Sequence, residues 1–440
     1  MVVVMKFGGA ALENAEKIRN VFSVVRQRLP EKPVVVVSAM KGVTDLLLGS
    51  FAEKANIAKI RHTHVQALKE LDLDEKLLDQ LFAELEKAVS VVSRIHDVNP
   101  KTRDFAASFG ERLCARLVAA HFEKQGVKAK AFDAWDLGMV TDSNFGMAQP
   151  LPEAEKRIAE SFAKIRGIDV PVITGYIGKD KAGEVTTLAR GGTDYTASFV
   201  GAAIHAKQIE FWKEVNGIMS ADPRIVPEAR TIPRLSFDEM AELAFFGAKV
   251  LHPKTVEPAV RKNIPLLVKN VFDPGHPGTV ISEKTDEREH AVKAISSKKG
   301  VSIINVKAAE MLSTYGFAAK VFSVMARNKI SVDLIATSEI NISFSVSNSE
   351  RKDIENVVKE LSAFATVIIE NDRAIVSVVG KGIKGKPGLA GKVFTATAEN
   401  GINVEIISQA APEINLTFVV DGKDADNAVR ALHKKFVEEN

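Results

Sequence analysis

Residues 318–335 read AAKVFSVMARNKISVDLI, and residues 390–407 read AGKVFTATAENGINVEII, the same pattern 72 positions later. Ala318, Lys320, Val321, Phe322, Ala326, Asn328, Ile330, Val332 and Ile335 recur as Ala390, Lys392, Val393, Phe394, Ala398, Asn400, Ile402, Val404 and Ile407. Self-similarity at a fixed offset means one supersecondary unit used twice. Each copy reads as strand, glycine-containing loop, helix, strand, strand, helix. Ile342, Phe344 and Val346 alternate on one later strand, and Ile414, Leu416 and Phe418 on its counterpart, the two-residue period of a strand with one buried face. The tail is expected to hold two small α+β modules. Neither carries a convincing acid/base cluster, so the pair reads as a binding region rather than a site of chemistry.

Upstream, DPGHPGTVIS (273–282) is rich in turn formers and EKTDEREH (283–290) is strongly charged, which sets the main boundary near 285. Before it the pattern changes. VVVM (2–5) and VVVVS (34–38) are β-branched runs suited to buried parallel strands. Between them Ile18, Val21, Phe22 and Val25 share one helix face, with Asn14 as N-cap. From Leu46 to about Asp97 the pattern is helical. VITGYI (172–177), IEFW (209–212) and PLLVK (265–269) are further strands among helical segments. This β-α alternation predicts an α/β fold with a mainly parallel sheet sandwiched by helices.

With 440 residues, 46% of them hydrophobic and 26% charged, the chain has material for two to four domains. A net charge of +3 gives no reason to expect nucleic acid or an acidic membrane surface as partner. No run of 18 apolar residues predicts a membrane span, and the apolar run at the start is too short for a signal peptide. A single cysteine, Cys114, cannot form an internal disulfide and fits a reducing compartment, with cytoplasm as the default.

Four motifs carry candidate chemistry. Lys6-Phe7-Gly8-Gly9 follows the first strand. The glycines let backbone N–H groups approach phosphate oxygens, and the lysine suits a transferring phosphoryl group; the plain alternative is a tight βα turn. The spacing is not that of a Walker A loop. In Leu188-Ala189-Arg190-Gly191-Gly192-Thr193-Asp194, a second glycine pair precedes a helix. Arg190 suits a carboxylate, and Asp194 suits a lysine, a metal or a helix N-cap. Phe246-Gly247-Ala248-Lys249-Val250-Leu251-His252-Pro253 puts Lys249 near a helix end, and His252 reads as packed. Ser108-Phe109-Gly110-Glu111-Arg112 enters an amphipathic helix, where Glu111 either binds an amine or favours the helix start. Gly380-Lys381-Gly382-Ile383-Lys384-Gly385 matches GxGxxG, but it lies within the repeat, where no dinucleotide fold fits.

Taken in order, KFGG, SFGERL, LARGGTDYTA, ADPRIV (221–226) and FGAKVLHP resemble the aspartate kinases (aspartokinases) of the amino-acid kinase superfamily, and the tail resembles their paired, ferredoxin-like ACT modules. The likeness covers nearly the whole chain. It implies an amino-acid kinase domain over 1–285 and ACT modules over 286–372 and 373–440, interleaved so that a strand near 291–296 joins the second. It implies ATP-dependent phosphorylation of the L-aspartate side chain, the first step towards lysine, threonine and methionine, with Mg2+ bridging the phosphates and no direct protein metal ligand.

By the same resemblance, Lys6, Asp194 and Lys249 are catalytic. Lys6, Phe7, Gly8, Gly9, Lys213, Glu214, Met219, Arg224, Lys249 and Val250 line the ATP site. Thr44, Glu111, Arg190, Gly191, Gly192 and Thr193 hold aspartate, with Glu111 on the amine and Arg190 on the α-carboxylate. Met311, Thr314, Gly316, Phe317, Asp333, Ser338 and Glu339 match the effector positions of lysine-sensitive members. Lysine is the expected inhibitor and a homodimer or larger assembly the expected state. The chain departs from the family pattern at Ala10 (usually threonine), at Lys213-Glu214 (commonly Thr-Asp) and at Met219 (tyrosine). Alternatives are a kinase of another acidic amino acid, and a catalytically silent amino-acid sensor.

Overall fold

A computed structural model describes residues 2–53, 55–95, 98–165, 167–189, 191–247, 250–283, 291–308, 315–347, 351–409 and 414–439. The chain forms two compact units. The first comprises Met1–Ile218, Pro233–Phe237 and Val250–Thr285; the second comprises Met219–Ile232, Asp238–Lys249 and Asp286–Asn440.

The first unit opens with β1 (Val3–Phe7), α1 (Ala15–Gln27) and β2 (Pro33–Val37). Both strands are buried throughout, which is why they are runs of β-branched residues rather than alternating ones. Asn14 caps α1 by accepting the Lys17 N–H, and Ile18, Val21, Phe22 and Val25 are buried. Helices α2 (Val43–Gly49), α3 (Ala55–Glu70), α4 (Asp79–Ile95) and α5 (Pro100–Lys124) follow, then β3 (Ala129–Phe132), α6 (Pro152–Lys164), β4 (Val170–Thr174), β5 (Ile177–Lys179), β6 (Val185–Thr187), α7 (Gly192–Ala203) and β7 (Gln208–Lys213). The path continues through β8 (Arg234–Ser236), α8 (Phe237–Phe245), α9 (Pro253–Lys262), β9 (Leu266–Asn270) and β10 (Thr279–Ser282).

Eight of these strands form one sheet in the order β3-β4-β2-β1-β7-β9-β10-β8, parallel except where β10 meets β9; β5 and β6 form a separate ribbon. Val3, Met5 and Phe7 enter the core shared with α1 and α5. Val4 points to the opposite face, where α7 comes so close that a Cβ at Gly201 would stand 2.6 Å from the Ile209 side chain and 3.6 Å from Val4. Lys6 follows Val4 by two and so leaves the strand on the α7 side. The apolar run at 172–177, read above as one strand, breaks at Gly175-Tyr176 between β4 and β5.

The second unit holds the repeat: β11 (Ala294–Lys307), α10 (Phe317–Arg327), β12 (Ile335–Thr337), β13 (Asn341–Ser347) and α11 (Arg351–Ser362), then β14 (Thr366–Val379), α12 (Leu389–Glu399), β15 (Ile406–Ser408), β16 (Asn415–Asp421) and α13 (Ala425–His433). The strands form one antiparallel sheet in the order β12-β13-β11-β14-β16-β15. β11 and β14 pair from Ala294↔Val379 to Lys307↔Thr366. Ile304 and Val306 pack with α10 and α11, whereas Ile295 packs with Val376, Phe418, α12 and α13. The start of β11 thus completes the second copy and its end serves the first.

Ala221 and Val226 join that second core, and the Ser220 carbonyl accepts the Ile295 N–H at 2.8 Å. The GxGxxG-like segment follows β14, whose neighbours are antiparallel, so no parallel βαβ crevice forms there. Its glycines instead make room for the chain: a Cβ at Gly380 would lie 2.3 Å from the Ala291 carbonyl oxygen.

Candidate active site

Lys6 lies near the carboxyl end of β1, and Lys213 ends the adjacent β7, the sheet edge where open α/β folds place their ligands. Asp194 sits in the first turn of α7 and pairs with both: Lys6 Nζ to Oδ1 at 2.6 Å and Lys213 Nζ to Oδ2 at 2.7 Å. Gly191, at φ +82°, takes the N-cap position in a left-handed conformation that favours glycine, and Asp194 is not the cap. Lys6 and Asp194 are buried. Burial alone would raise the Asp194 carboxyl, but the two ammoniums hold it at about 2. Two cations around one anion leave a net positive charge in a water-poor setting, suited to an anionic group in transfer.

Glu111 lies in the middle of α5, which begins at Pro100, so it does not mark a helix start as the glycine before it suggested. Gly110 is a contact glycine: its Cβ would meet Ala39 Cβ at 2.7 Å and Leu47 at 3.3 Å, so α5 packs tightly under the loop after β2 and the start of α2. Glu111 is 3% exposed, and its Oε2 has no hydrogen-bond partner among the described residues. Burial pushes its carboxyl up to about 8, against the pull of the Ala39 amide and Lys6. A buried carboxyl left open on one oxygen suits an incoming cation.

A cavity of about 350 Å³ collects these groups. Lys6, Gly9, Thr44, Glu111, Gly191, Gly192, Thr193 and Asp194 line it, together with Ser38, Ala39, Met40, Lys41, Gly42, Asp45 and Tyr176. The glycines are close-approach positions: a Cβ at Gly9 would stand 2.8 Å from the Ala39 carbonyl, and one at Gly192 would stand 2.7 Å from the Tyr176 ring. Tyr176 carried no signal in the sequence. Its φ of +67° is strained for a bulky residue, and its N–H is held by Thr196 Oγ1 at 3.1 Å. Asp104, also unmarked in the sequence, ties α5 to the end of β6 through the Thr187 hydroxyl and N–H.

The remaining expected residues divide. The Phe7 ring faces the core and stacks on Trp212 at 6.2 Å, so it does not line the cavity. A Cβ at Gly8 would stand 3.3 Å from Lys6 Nζ. Glu214 is half-exposed and 3.9 Å from Lys17. Val250 belongs to the first unit, whereas Met219 and Arg224 fall in the second; the Met219 sulfur accepts the Thr231 hydroxyl and Arg224 pairs with Asp222 at 2.5 Å. Arg190, Lys249, Met311 and Thr314 lie outside the described residues. His252 is packed under Gly191, and its Nδ1 accepts the Lys254 N–H at the head of α9.

Of the effector positions, Gly316 (φ +83°) precedes α10 and Phe317 opens it, buried. The Ser338 N–H donates to the Asn341 carbonyl, and Glu339 is exposed. Asp333 is paired with Lys298 at 2.7 Å. Among the described residues no cluster of three acidic, histidine or cysteine side chains suits a metal, and no helix is long and apolar enough to cross a membrane.

Residues 1–270 match the amino acid kinase family, and residues 304–363 and 376–436 each match the ACT domain. The chain is 36% identical to aspartokinase 1, chloroplastic, of Arabidopsis thaliana over 99% of its own length and 80% of that protein. It is 33% identical to lysine-sensitive aspartokinase 3 of Escherichia coli over 99% of both. The crystal structure of E. coli aspartokinase III in complex with aspartate and ADP (R-state) superposes with a TM-score of 0.86 at 31% identity, covering 99% of each chain. The lysine and aspartate complex of that enzyme (T-state) gives 0.81, again at 31% identity and 99% of each chain.

Proposed function

This chain belongs to the amino acid kinase family, with tandem ACT domains behind the kinase portion, and on that premise we propose that it is an aspartate kinase regulated by lysine. It transfers the γ-phosphoryl group of ATP to the side-chain carboxylate of L-aspartate, giving 4-phospho-L-aspartate and ADP. The observation that carries this reading is the buried Lys6–Asp194 pair, with Lys213 on the other Asp194 oxygen, lining the same cavity as Glu111, whose carboxyl is left open.

The acceptor is an ionised carboxylate, so no strong general base is needed and catalysis rests on positioning and charge neutralisation. A carboxylate oxygen attacks the γ-phosphorus, and the bond to the β,γ-bridging oxygen breaks. Lys6 and Lys213 compensate charge on the moving phosphoryl, and Asp194 holds both lysines in place. Glu111 takes the ammonium of aspartate, Arg190 its α-carboxylate, and Thr44, Gly191, Gly192 and Thr193 close around it. Gly8 and Gly9 approach the phosphates, and Val250, in the same unit, borders the nucleotide. Both oxygens of Asp194 are taken by lysines; Mg2+, bound with the nucleotide, would add charge neutralisation at the phosphates.

Residues 1–285 form the kinase domain, 286–372 and 373–440 the two ACT modules, interleaved so that the strand near 291–296 joins the second, and Asp333 and Glu339 receive the lysine ammonium groups. A homodimer or larger assembly through the ACT modules completes the reading; Ile335 and Ile407, equivalent positions of the repeat on β12 and β15, are 45% and 51% exposed apolar side chains on this unit. Buried, unpaired Cys114 fits the reducing cytoplasm. The test is hydroxamate formation from aspartate, ATP and Mg2+, with and without lysine. Signal with another acid but not aspartate would overturn the substrate, and no signal with any acid would overturn catalysis.

A further inference from the structure

Asp104 lies on α5 seven residues before Glu111, two helical turns away, so both side chains leave the same side of one rigid helix. Its carboxylate is 3% exposed and accepts three hydrogen bonds: from the Gly146 N–H at 2.8 Å, the Thr187 N–H at 2.7 Å and the Thr187 hydroxyl at 2.7 Å. A carboxylate withdrawn this far from water is costly unless fully bonded, and the phosphoryl chemistry does not account for it. Thr187 ends β6, and four residues later the chain enters Gly191-Gly192-Thr193-Asp194. The Thr187 hydroxyl donates to Asp104, and the N–H of the next residue, Leu188, donates to the Tyr176 carbonyl at 2.8 Å. Tyr176 in turn lines the cavity and abuts Gly192.

Glu111 rides on α5, whereas Tyr176 lies between β4 and β5 and Gly192 and Asp194 lie in the first turn of α7; Asp104 is a buried polar tie from α5 to the end of β6, next to the residue that holds Tyr176. We propose that Asp104 is a positioning residue that fixes the register of α5 against the β6–α7 turn, and thereby the span between the amine end and the reacting end of the substrate. This rests on Glu111 being the amine subsite. A helix rises about 1.5 Å per residue, close to the length one methylene adds to a chain, so a slip of α5 by a single residue's rise would resize the site from a four-carbon to a five-carbon acid. Misplacement on the scale of about 1 Å is enough to cost a large factor in rate.

The test is steady-state kinetics on the full chain for Asp104→Ala, Thr187→Val and the double variant, with aspartate and glutamate as acceptors, alongside thermal melting. The expected result is a KM for aspartate raised about tenfold or more, a KM for ATP within about twofold of wild type, and a smaller preference for aspartate over glutamate. The double variant should be no worse than the poorer single one, since both remove the same bond. Asp104→Asn should recover part of the loss, because the amide oxygen still accepts the two N–H donors. It also serves as the readout if Asp104→Ala does not fold.

A lower melting temperature with unchanged KM and unchanged acceptor preference would overturn the proposal, as would additive losses in the double variant. Glu111→Gln separates the two readings. If it weakens aspartate binding and Asp104→Ala does not, the positioning role falls alone. If it leaves aspartate binding intact, the amine subsite falls and the positioning role with it.

Discussion

Glu111 is held at about 8 in the folded protein by burial, against an ordinary value of 4.5. An ammonium docking beside it favours the charged form, so aspartate binding at pH 7 should release close to one proton. Calorimetry in buffers of different ionisation enthalpy measures this directly, and Glu111→Gln should abolish the buffer dependence. The same shift has a stability sign. A carboxyl whose folded value is raised contributes stability below its unfolded value, and loses it as pH rises through the folded one. The melting temperature of Glu111→Gln relative to wild type should therefore climb between pH 5 and pH 8.

Lys6 and Asp194 differ in what their loss does. Lys6→Ala removes charge compensation and should lower kcat by about a hundredfold or more, with a small change in KM for aspartate. Asp194→Ala leaves two partly buried ammoniums without their anion, a defect worth about 3–5 kcal/mol, and should lower the melting temperature as well as the rate.

At the scale of elements, β11 places one cation between two neighbours. Its Lys298 is paired with Asp333 in the stretch leading to β12, at 2.7 Å, and stands 5.4 Å from the Phe245 ring at the end of α8. An effector ammonium that uses Asp333 must displace the Lys298 ammonium already there. Lys298→Met should bind lysine more tightly than wild type by calorimetry, while Asp333→Ala should bind it more weakly. Equal affinity in Lys298→Met and wild type would remove Asp333 from the effector contacts.

Several elements escaped the sequence for physical reasons. β3, β8 and β10 are three or four residues long and lie toward the ends of the sheet, too short to show a period. Gly110 looked like a helix boundary because glycine weakens helices, yet here the missing side chain admits Ala39.

The whole molecule is less separable than its sequence boundary near 285 suggests. Met219–Ile232 and Asp238–Lys249 pack with the repeat rather than with the sheet that surrounds them in sequence. Ser220 Oγ bonds His433 Nε2 at 2.8 Å, and His433 Nδ1 bonds Glu438 at 2.8 Å. Glu239 takes Lys293 at 3.0 Å and the Lys381 N–H at 2.7 Å. Deleting residues 286–440 strips both segments of their core and their polar partners. The truncated chain should melt at lower temperature and lose activity, rather than become an active enzyme insensitive to lysine; activity and melting curves on the truncated and full chains decide it.

By itself the sequence determined what depends on local pattern: buried strands from β-branched runs, the capped α1, glycine pairs at two βα turns, and the duplicated module from its 72-residue offset. It also carried the family, through motifs whose order is linear. What only the tertiary structure decided is what depends on groups far apart in the chain. Asp194 reads as a helix cap, a metal ligand or a lysine partner until the sheet brings Lys6 and Lys213 to its two oxygens. Asp104 and Thr187 are 83 residues apart, and Ser220 and His433 are 213 apart. Periodicity reports which face of an element is apolar; it does not report which polar groups meet across elements, because that is set by packing.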